Sequence, residues 1–144
     1  MPFATPTLRL TTEQHLAIVA HCLDGYPDEA CGLLGGPMSD AGEPTGEVTA
    51  VFPCRNADAS ARTYTVDTRD MGKAMGGARR DGGELMCVWH SHTHTDAYPS
   101  DTDVRKAAEP GWIYVIVSLK HADAVLRAYR IRDGGIAEVD VEVT

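Results

Sequence analysis

Two histidines, His90 and His92, stand two residues apart in Trp-His-Ser-His, and Ser100 and Asp103 follow them. Imidazoles and carboxylates are ligands for divalent metals. On a strand, residues i and i+2 share a face with Cα atoms about 6.5–7 Å apart, so two such imidazoles can converge on one ion. The stretch Pro99-Ser100-Asp101-Thr102-Asp103 has the form of a helix start, with Ser100 at the N-cap, Asp103 at N3, and Val104 to Ala108 following. That start lets the loop Thr93–Tyr98 swing a carboxylate back over the strand end. Two His and one Asp make three protein ligands, leaving a fourth zinc position open for water, as in catalytic rather than structural sites. Zinc held in this way lowers the pKa of its water from about 15.7 towards 7 and polarises a scissile carbonyl.

Such chemistry needs a separate group to carry the proton to the leaving amine, and a glutamate outside the coordination shell often does so. Glu29 is the candidate, between Pro27-Asp28 and the apolar run that starts at Cys31. Asp28 competes with it, and spacing alone does not choose between them. Each residue also has a plainer reading. A lone His-x-His can be an ordinary strand end, and Ser-x-x-Asp is a good helix start by itself. The two readings of Ser100 and Asp103 are compatible, because the cap fixes the loop whose side chains the site then shares. His94 reads as a loop residue near the cleft, since a fourth protein ligand would close the position the chemistry needs. Asp96 and Asp101 read as solvated acids, Trp89 and Tyr98 as packing residues, and Met71 and Met75 as core filler.

The elements that must position these residues form a mixed α/β pattern in which strands outnumber helices. Thr11–Tyr26 reads as a helix with a Thr11/Gln14 capping box and an apolar stripe of Leu16, Val19, Ala20 and Leu23, stopped by Pro27. Cys31–Leu34 reads as a buried strand, Gly36–Gly46 as a loop, Glu47–Pro53 as a strand and Arg62–Val66 as a weaker one. Thr68–Arg80 has Met71, Ala74, Met75 and Ala78 at helical spacing, although three glycines lower its propensity. Leu85–His90 is a strand after Gly82-Gly83. Trp112–Leu119 (WIYVIVSL) is a near-continuous apolar run suited to a central strand. Ala124–Ile131 and Ile136–Val143 alternate in period two around the hairpin signal Asp133-Gly134-Gly135.

At 144 residues, without an internal repeat or a long linker, the chain reads as one domain spanning 1–144. No apolar run approaches the ~20 residues of a membrane span, and the opening MPFATPTLRL lacks the pattern of a secretory leader. The expected compartment is therefore the cytoplasm. A net charge of −8 argues against nucleic acid or an anionic membrane as partner, since phosphate binding relies on Lys and Arg. The four cysteines, Cys22, Cys31, Cys54 and Cys87, include no Cys-x-x-Cys pair and read as buried thiols.

Glu29 upstream, then His-x-His, seven residues, Ser, two residues and Asp resembles the JAMM (MPN+) metallopeptidase motif. The segments PDEACGLLGG, AYPSDTD, WIYVIVSL and AYRI carry the likeness along most of the chain. The resemblance implies a cytidine-deaminase-like α/β fold, with a mixed, mostly antiparallel sheet flanked by helices. It implies one zinc ion with a bound water on His90, His92 and Asp103, Glu29 as general acid/base, and Ser100 hydrogen-bonding the oxyanion. Thr93 stands where many members carry proline, and His94 is an extra histidine. Small bacterial members resemble this chain best, which implies hydrolysis at the C-terminal tail of a ubiquitin-like or sulfur carrier protein, releasing cysteine in cysteine biosynthesis. A non-catalytic scaffold or metal-binding domain of the same fold is the competing expectation. Metallo-β-lactamase-like hydrolases need an Asp-His pair and more histidines than this chain has, and zinc deaminases need a Pro-Cys-x-x-Cys pair that is missing. The oligomeric state stays open, a homo-oligomer included.

Overall fold

The computed structural model describes residues 5–144; the first four, which open the stretch read above as leaderless, lie outside it. The elements run β1 (Leu8–Leu10), α1 (Thr12–Gly25), β2 (Cys31–Gly36), β3 (Ala50–Cys54), α2 (Thr68–Arg80), β4 (Glu84–His92), α3 (Asp101–Lys106), β5 (Ile113–Ser118), β6 (Val125–Arg132), β7 (Gly135–Val139) and β8 (Val141–Val143). Six strands form one sheet in the order β3-β2-β4-β5-β6-β7, and β1 and β8 form a second, two-stranded one. Within the large sheet only β4 and β5 run parallel. Their connection through α3 spans 20 residues, as a parallel crossover requires. No helix among the described residues is long and apolar enough to cross a membrane.

The central strand β5 is buried at every position, as its unbroken apolar run predicts. One core, on the α1 side of the sheet, joins Ile18 and Cys22 to Trp89, Val115 and Val117. A second, on the α2 side, joins Ala74 and Ala78 to Leu33, Val88, Ile116 and Tyr129. Gly32 sits opposite Trp89 in the β2–β4 register. A Cβ there would lie 2.1 Å from Cζ2 of the indole and 2.7 Å from the Phe52 carbonyl, so this close approach requires glycine. The four cysteines are free and buried.

The structure rotates α1 away from the expected stripe. Leu16 and Leu23 are 59% and 57% exposed, whereas Ile18 and Cys22 are fully buried. Polar side chains on the packed face fix this rotation. Gln14 donates from Nε2 to the Val48 carbonyl at 3.0 Å. His21 bonds the Cys54 carbonyl through Nε2 at 3.0 Å and sets its ring edge against Trp89. Ile18→Ala should therefore cost about 2–5 kcal/mol in urea unfolding, while Leu23→Ser should stay within about 0.5 kcal/mol. The opposite ranking would restore the expected stripe.

Three further expectations are corrected. Arg62–Val66 is not a strand; only an Asn56–Val66 bridge remains. Its backbone is held instead by the Asn56 side chain, which donates to the Thr63 carbonyl at 2.9 Å and accepts from Thr65 N at 3.0 Å. Met75 is 39% exposed rather than core filler. Ile136–Val143 splits in two. The Asp133-Gly134 turn, with φ of 51° and 79°, closes the β6–β7 hairpin. After Asp140 the chain leaves the large sheet, and β8 pairs in parallel with β1 at the other end of the chain.

Candidate metal and proton-transfer site

The carboxyl end of β4 brings His90 and His92 onto one face of the sheet, both buried at 2% and 5% exposure. The antiparallel register pairs Cys31 with His90, and the Ser91 N–H donates to the Ala30 carbonyl at 2.9 Å. Continuing that register sets Glu29 beside His92. Glu29 is itself buried and shares the walls of a cleft of about 590 Å³ with His92, His94 and Ser100. Asp28, one residue earlier, does not line this cleft and faces an adjoining recess with His21 and Arg55.

Asp103 arrives from α3. Ser100 caps this helix, its Oγ accepting from Asp103 N at 3.1 Å, while Asp103 Oδ2 accepts from Ser100 N at 3.0 Å. The reciprocal cap points the Asp103 carboxylate at the histidines. Oδ2 lies 2.9 Å from His92 Nε2, and Oδ1 lies 3.2 Å from His90 Nε2. Ligand atoms of His90, His92 and Asp103 all lie within 4.8 Å of one another.

Two features show that this trio suits a metal ion. His92 Nδ1 sits 2.8 Å from the Asp96 carbonyl. A carbonyl accepts only from an N–H, so Nδ1 carries a proton and Nε2 is the nitrogen turned to the Asp103 carboxylate, the orientation metal-binding histidines take. In the metal-free protein Nε2 donates to that carboxylate, and a cation would take the place of its proton once Nε2 gives it up. Both ring nitrogens of buried His90 lack a hydrogen bond; its contact with Asp103 is close but out of line. Buried polar atoms are rarely left so, and a cation would satisfy Nε2. Tetrahedral zinc with bonds of about 2.0–2.1 Å spaces its ligand atoms by roughly 3.3 Å, close to the 3.2 and 2.9 Å between Asp103 and the two histidines.

Charge in the site follows from burial and these contacts. Burial pushes the Asp103 carboxyl upward, but the imidazoles of His90 and His92 outweigh it and hold the group far below the ordinary carboxylate range. Burial lowers His90. It also acts downward on His92, but the Asp103 and Asp96 contacts leave that group raised. Glu29 is raised to about 7, by burial first, with His92 opposing and Asp103 adding to the shift. A glutamate poised there can accept and return a proton near neutral pH.

That shift predicts a stability effect in metal-free protein. The folded pKa of Glu29 lies above its unfolded value, so its buried charge opposes folding fully above about pH 7, and not at all below the ordinary glutamate value of 4.5. Glu29→Gln should be more stable than the parent at pH 8, with the gap closing by pH 4, in paired urea titrations. A gap that does not vary with pH would contradict this.

Several supporting groups were not visible in the residue pattern. Tyr64, in the non-strand segment 62–66, stacks on His90 with ring centroids 4.3 Å apart. Ser118 donates to the Thr95 carbonyl at 2.6 Å, Tyr129 donates to the Ala97 carbonyl, and Lys120 pairs with Asp96 at 3.2 Å. Together they hold the loop whose carbonyl orients His92. His94 stands on the cleft wall, outside the trio that could hold a metal ion, with Nδ1 at 2.9 Å from Thr93 Oγ1 and Nε2 at 3.3 Å from the Tyr26 hydroxyl. Asp101 is exposed and Trp89 is fully buried, while Tyr98, expected as a packing residue, touches Tyr129 edge-on but stays 55% exposed.

Residues 11–132 match the family described as prokaryotic homologs of the JAB domain. The CysO-cysteine peptidase of Mycobacterium tuberculosis is 41% identical over 129 residues, covering 88% of this chain and 84% of that protein. The desampylase of Haloferax volcanii is 33% identical over 116 residues, covering 77% and 80% respectively. A protein of Desulfitobacterium hafniense with a solution structure superposes with a TM-score of 0.83 at 32% identity, over 94% of this chain and 92% of its own.

Proposed function

The chain belongs to the family of prokaryotic JAB-domain homologs, and from that premise we propose that it is a zinc peptidase acting at the C-terminal tail of a ubiquitin-like or sulfur carrier protein. The substrate class comes from the CysO-cysteine peptidase relative; removal of a C-terminal cysteine from such a carrier is the specific reaction. The observation that carries the metal assignment is the convergence of His90, His92 and Asp103 around a buried His90 ring without a hydrogen bond.

His90, His92 and Asp103 would hold one zinc ion with a water in its fourth position, and the ion would supply charge for water activation and carbonyl polarisation. Glu29, raised to about 7 by burial, takes the proton of the attacking water and returns it to the leaving amine. Ser100 Oγ accepts from Asp103 N through a lone pair, which leaves its O–H free to donate to the carbonyl oxygen as negative charge develops there. The Asp96 carbonyl keeps the His92 ring in the ligating tautomer. Four free, buried thiols suit a reducing cytoplasm as the setting.

Incubation with a carrier protein bearing a C-terminal cysteine, read by intact mass, tests the substrate. A product shorter by one cysteine supports the reading. An uncut carrier, with metal-replete enzyme, removes it.

A further inference from the structure

The cleft has one wall that this chemistry leaves unused. The segment 60–63 is tied to the backbone of Glu29: Glu29 N donates to the Ser60 carbonyl at 2.8 Å. Asn56 Nδ2 bridges the carbonyls of Glu29 and Thr63 at 3.0 and 2.9 Å. Ser60 Oγ accepts from Arg62 N at 3.0 Å, which shapes the turn that presents Arg62. Arg62 lines the same cleft as Glu29, His92 and Ser100. Among the described residues that line it, Arg62 is the one permanently cationic side chain, and no carboxylate pairs with it. Arg55, in the adjoining recess, is already committed to Asp67 at 3.8 Å. An uncommitted guanidinium in a chain of net charge −8, beside a buried glutamate, is placed to receive an anion from a ligand.

The side of the cleft identifies the anion. Hydrolysis breaks the C–N bond, water's oxygen goes to the acyl carbon, and Glu29 delivers water's proton to the nitrogen. The leaving group therefore departs on the Glu29 side, where Arg62 stands. When that group is a single terminal amino acid, its α-carboxyl carbon lies only about 2.5 Å from the leaving nitrogen. When the leaving nitrogen is a lysine side chain, no carboxylate is near. Resting on the peptidase reading above, we infer that Arg62 binds the free α-carboxylate of the released residue and sets a preference for removing one C-terminal amino acid over cleaving an isopeptide.

Two peptides carrying the same carrier-tail sequence and the same terminal residue, one as the free acid and one as the carboxamide, separate the possibilities. The parent enzyme should favour the acid by about tenfold or more in kcat/KM, chiefly through KM, the size of a charged hydrogen-bonded contact. Arg62→Ala should bring the ratio close to one, and Arg62→Lys should keep part of it. Arg62 is exposed, so these variants should fold and hold the same amount of zinc. A ratio that Arg62→Ala leaves unchanged, or an equal loss on both peptides, overturns the role of Arg62 and leaves the peptidase reading standing. A zinc-loaded parent that cleaves neither peptide overturns the peptidase reading and this inference with it.

Discussion

Glu29→Gln should keep its zinc and lose turnover by about 10²- to 10⁴-fold in kcat, with little change in KM, because the amide can neither take water's proton nor return it. The effect is large because no other carboxylate in the cleft substitutes: Asp28 lines the adjoining recess instead and Asp103 is held far below the range where it could carry a proton. The parent's pH profile gives the same test a second reading. A base must be ionised to act, so kcat/KM should fall as pH drops through the Glu29 pKa, which is about 7 from burial. A bound dication lowers that value, so the acid limb should lie below pH 7. The residual activity of Glu29→Gln should lack that limb. Zinc analysis and stopped-time peptide assays across pH 4–9 check both statements. Normal turnover by the variant, or an acid limb that survives in it, removes Glu29 from proton transfer.

Removing the metal should abolish hydrolysis and restoring zinc should return it, and His92→Ala or Asp103→Ala should behave as the stripped protein does. The ligands come from two elements, β4 and α3, whose junction the ion would join, so binding should also stabilise the fold. At zinc a thousandfold above Kd the gain is about 4 kcal/mol, which for a chain of this size raises Tm by roughly 8–16 °C. His92→Ala should lose that shift as well as activity, since its ring is both ligand and anchor of the Asp96 loop. Calorimetry with and without zinc reads the effect. An equal shift in the parent and in His92→Ala would mean that zinc binds elsewhere.

How far the sequence discloses this architecture depends on the kind of interaction. β5 is legible because a strand covered on both faces must be apolar throughout, and WIYVIVSL is. The α3 start is legible because a capping box is a local device, complete within Ser100–Asp103. The metal trio is readable for a similar reason, since two ligands share a strand face and the third sits on that cap. The rotation of α1 is not readable. Leu16–Leu23 makes as good a stripe as Ile18–Cys22 until Gln14 and His21 find carbonyls on β3 and its approach, 33 or 34 residues away in sequence. Strand β1 escapes notice because three residues are too few to show alternation, and its partner β8 lies at the far end of the chain. Tyr64 stacks on His90 from a segment whose backbone is organised by the Asn56 side chain rather than by a ladder. The carbonyl that orients His92 carries no residue signature, since any residue at 96 would present one.

The placement of Glu29 follows from register. Once Cys31 pairs with His90, the residue two places before the start of β2 comes beside His92, and the choice against Asp28 becomes a matter of strand geometry. Spacing along the chain could not make that choice, because the 60 residues between Glu29 and His90 say nothing of which strands pair.

Anomalous scattering at the zinc edge from crystals of protein grown without added metal tests the central claim most directly. A single strong peak should appear about 2.0–2.2 Å from His90 Nε2, His92 Nε2 and an Asp103 carboxylate oxygen, with a fourth position not filled by protein. A peak at other residues, a fourth protein ligand on the ion, or well-ordered protein with no peak would contradict it.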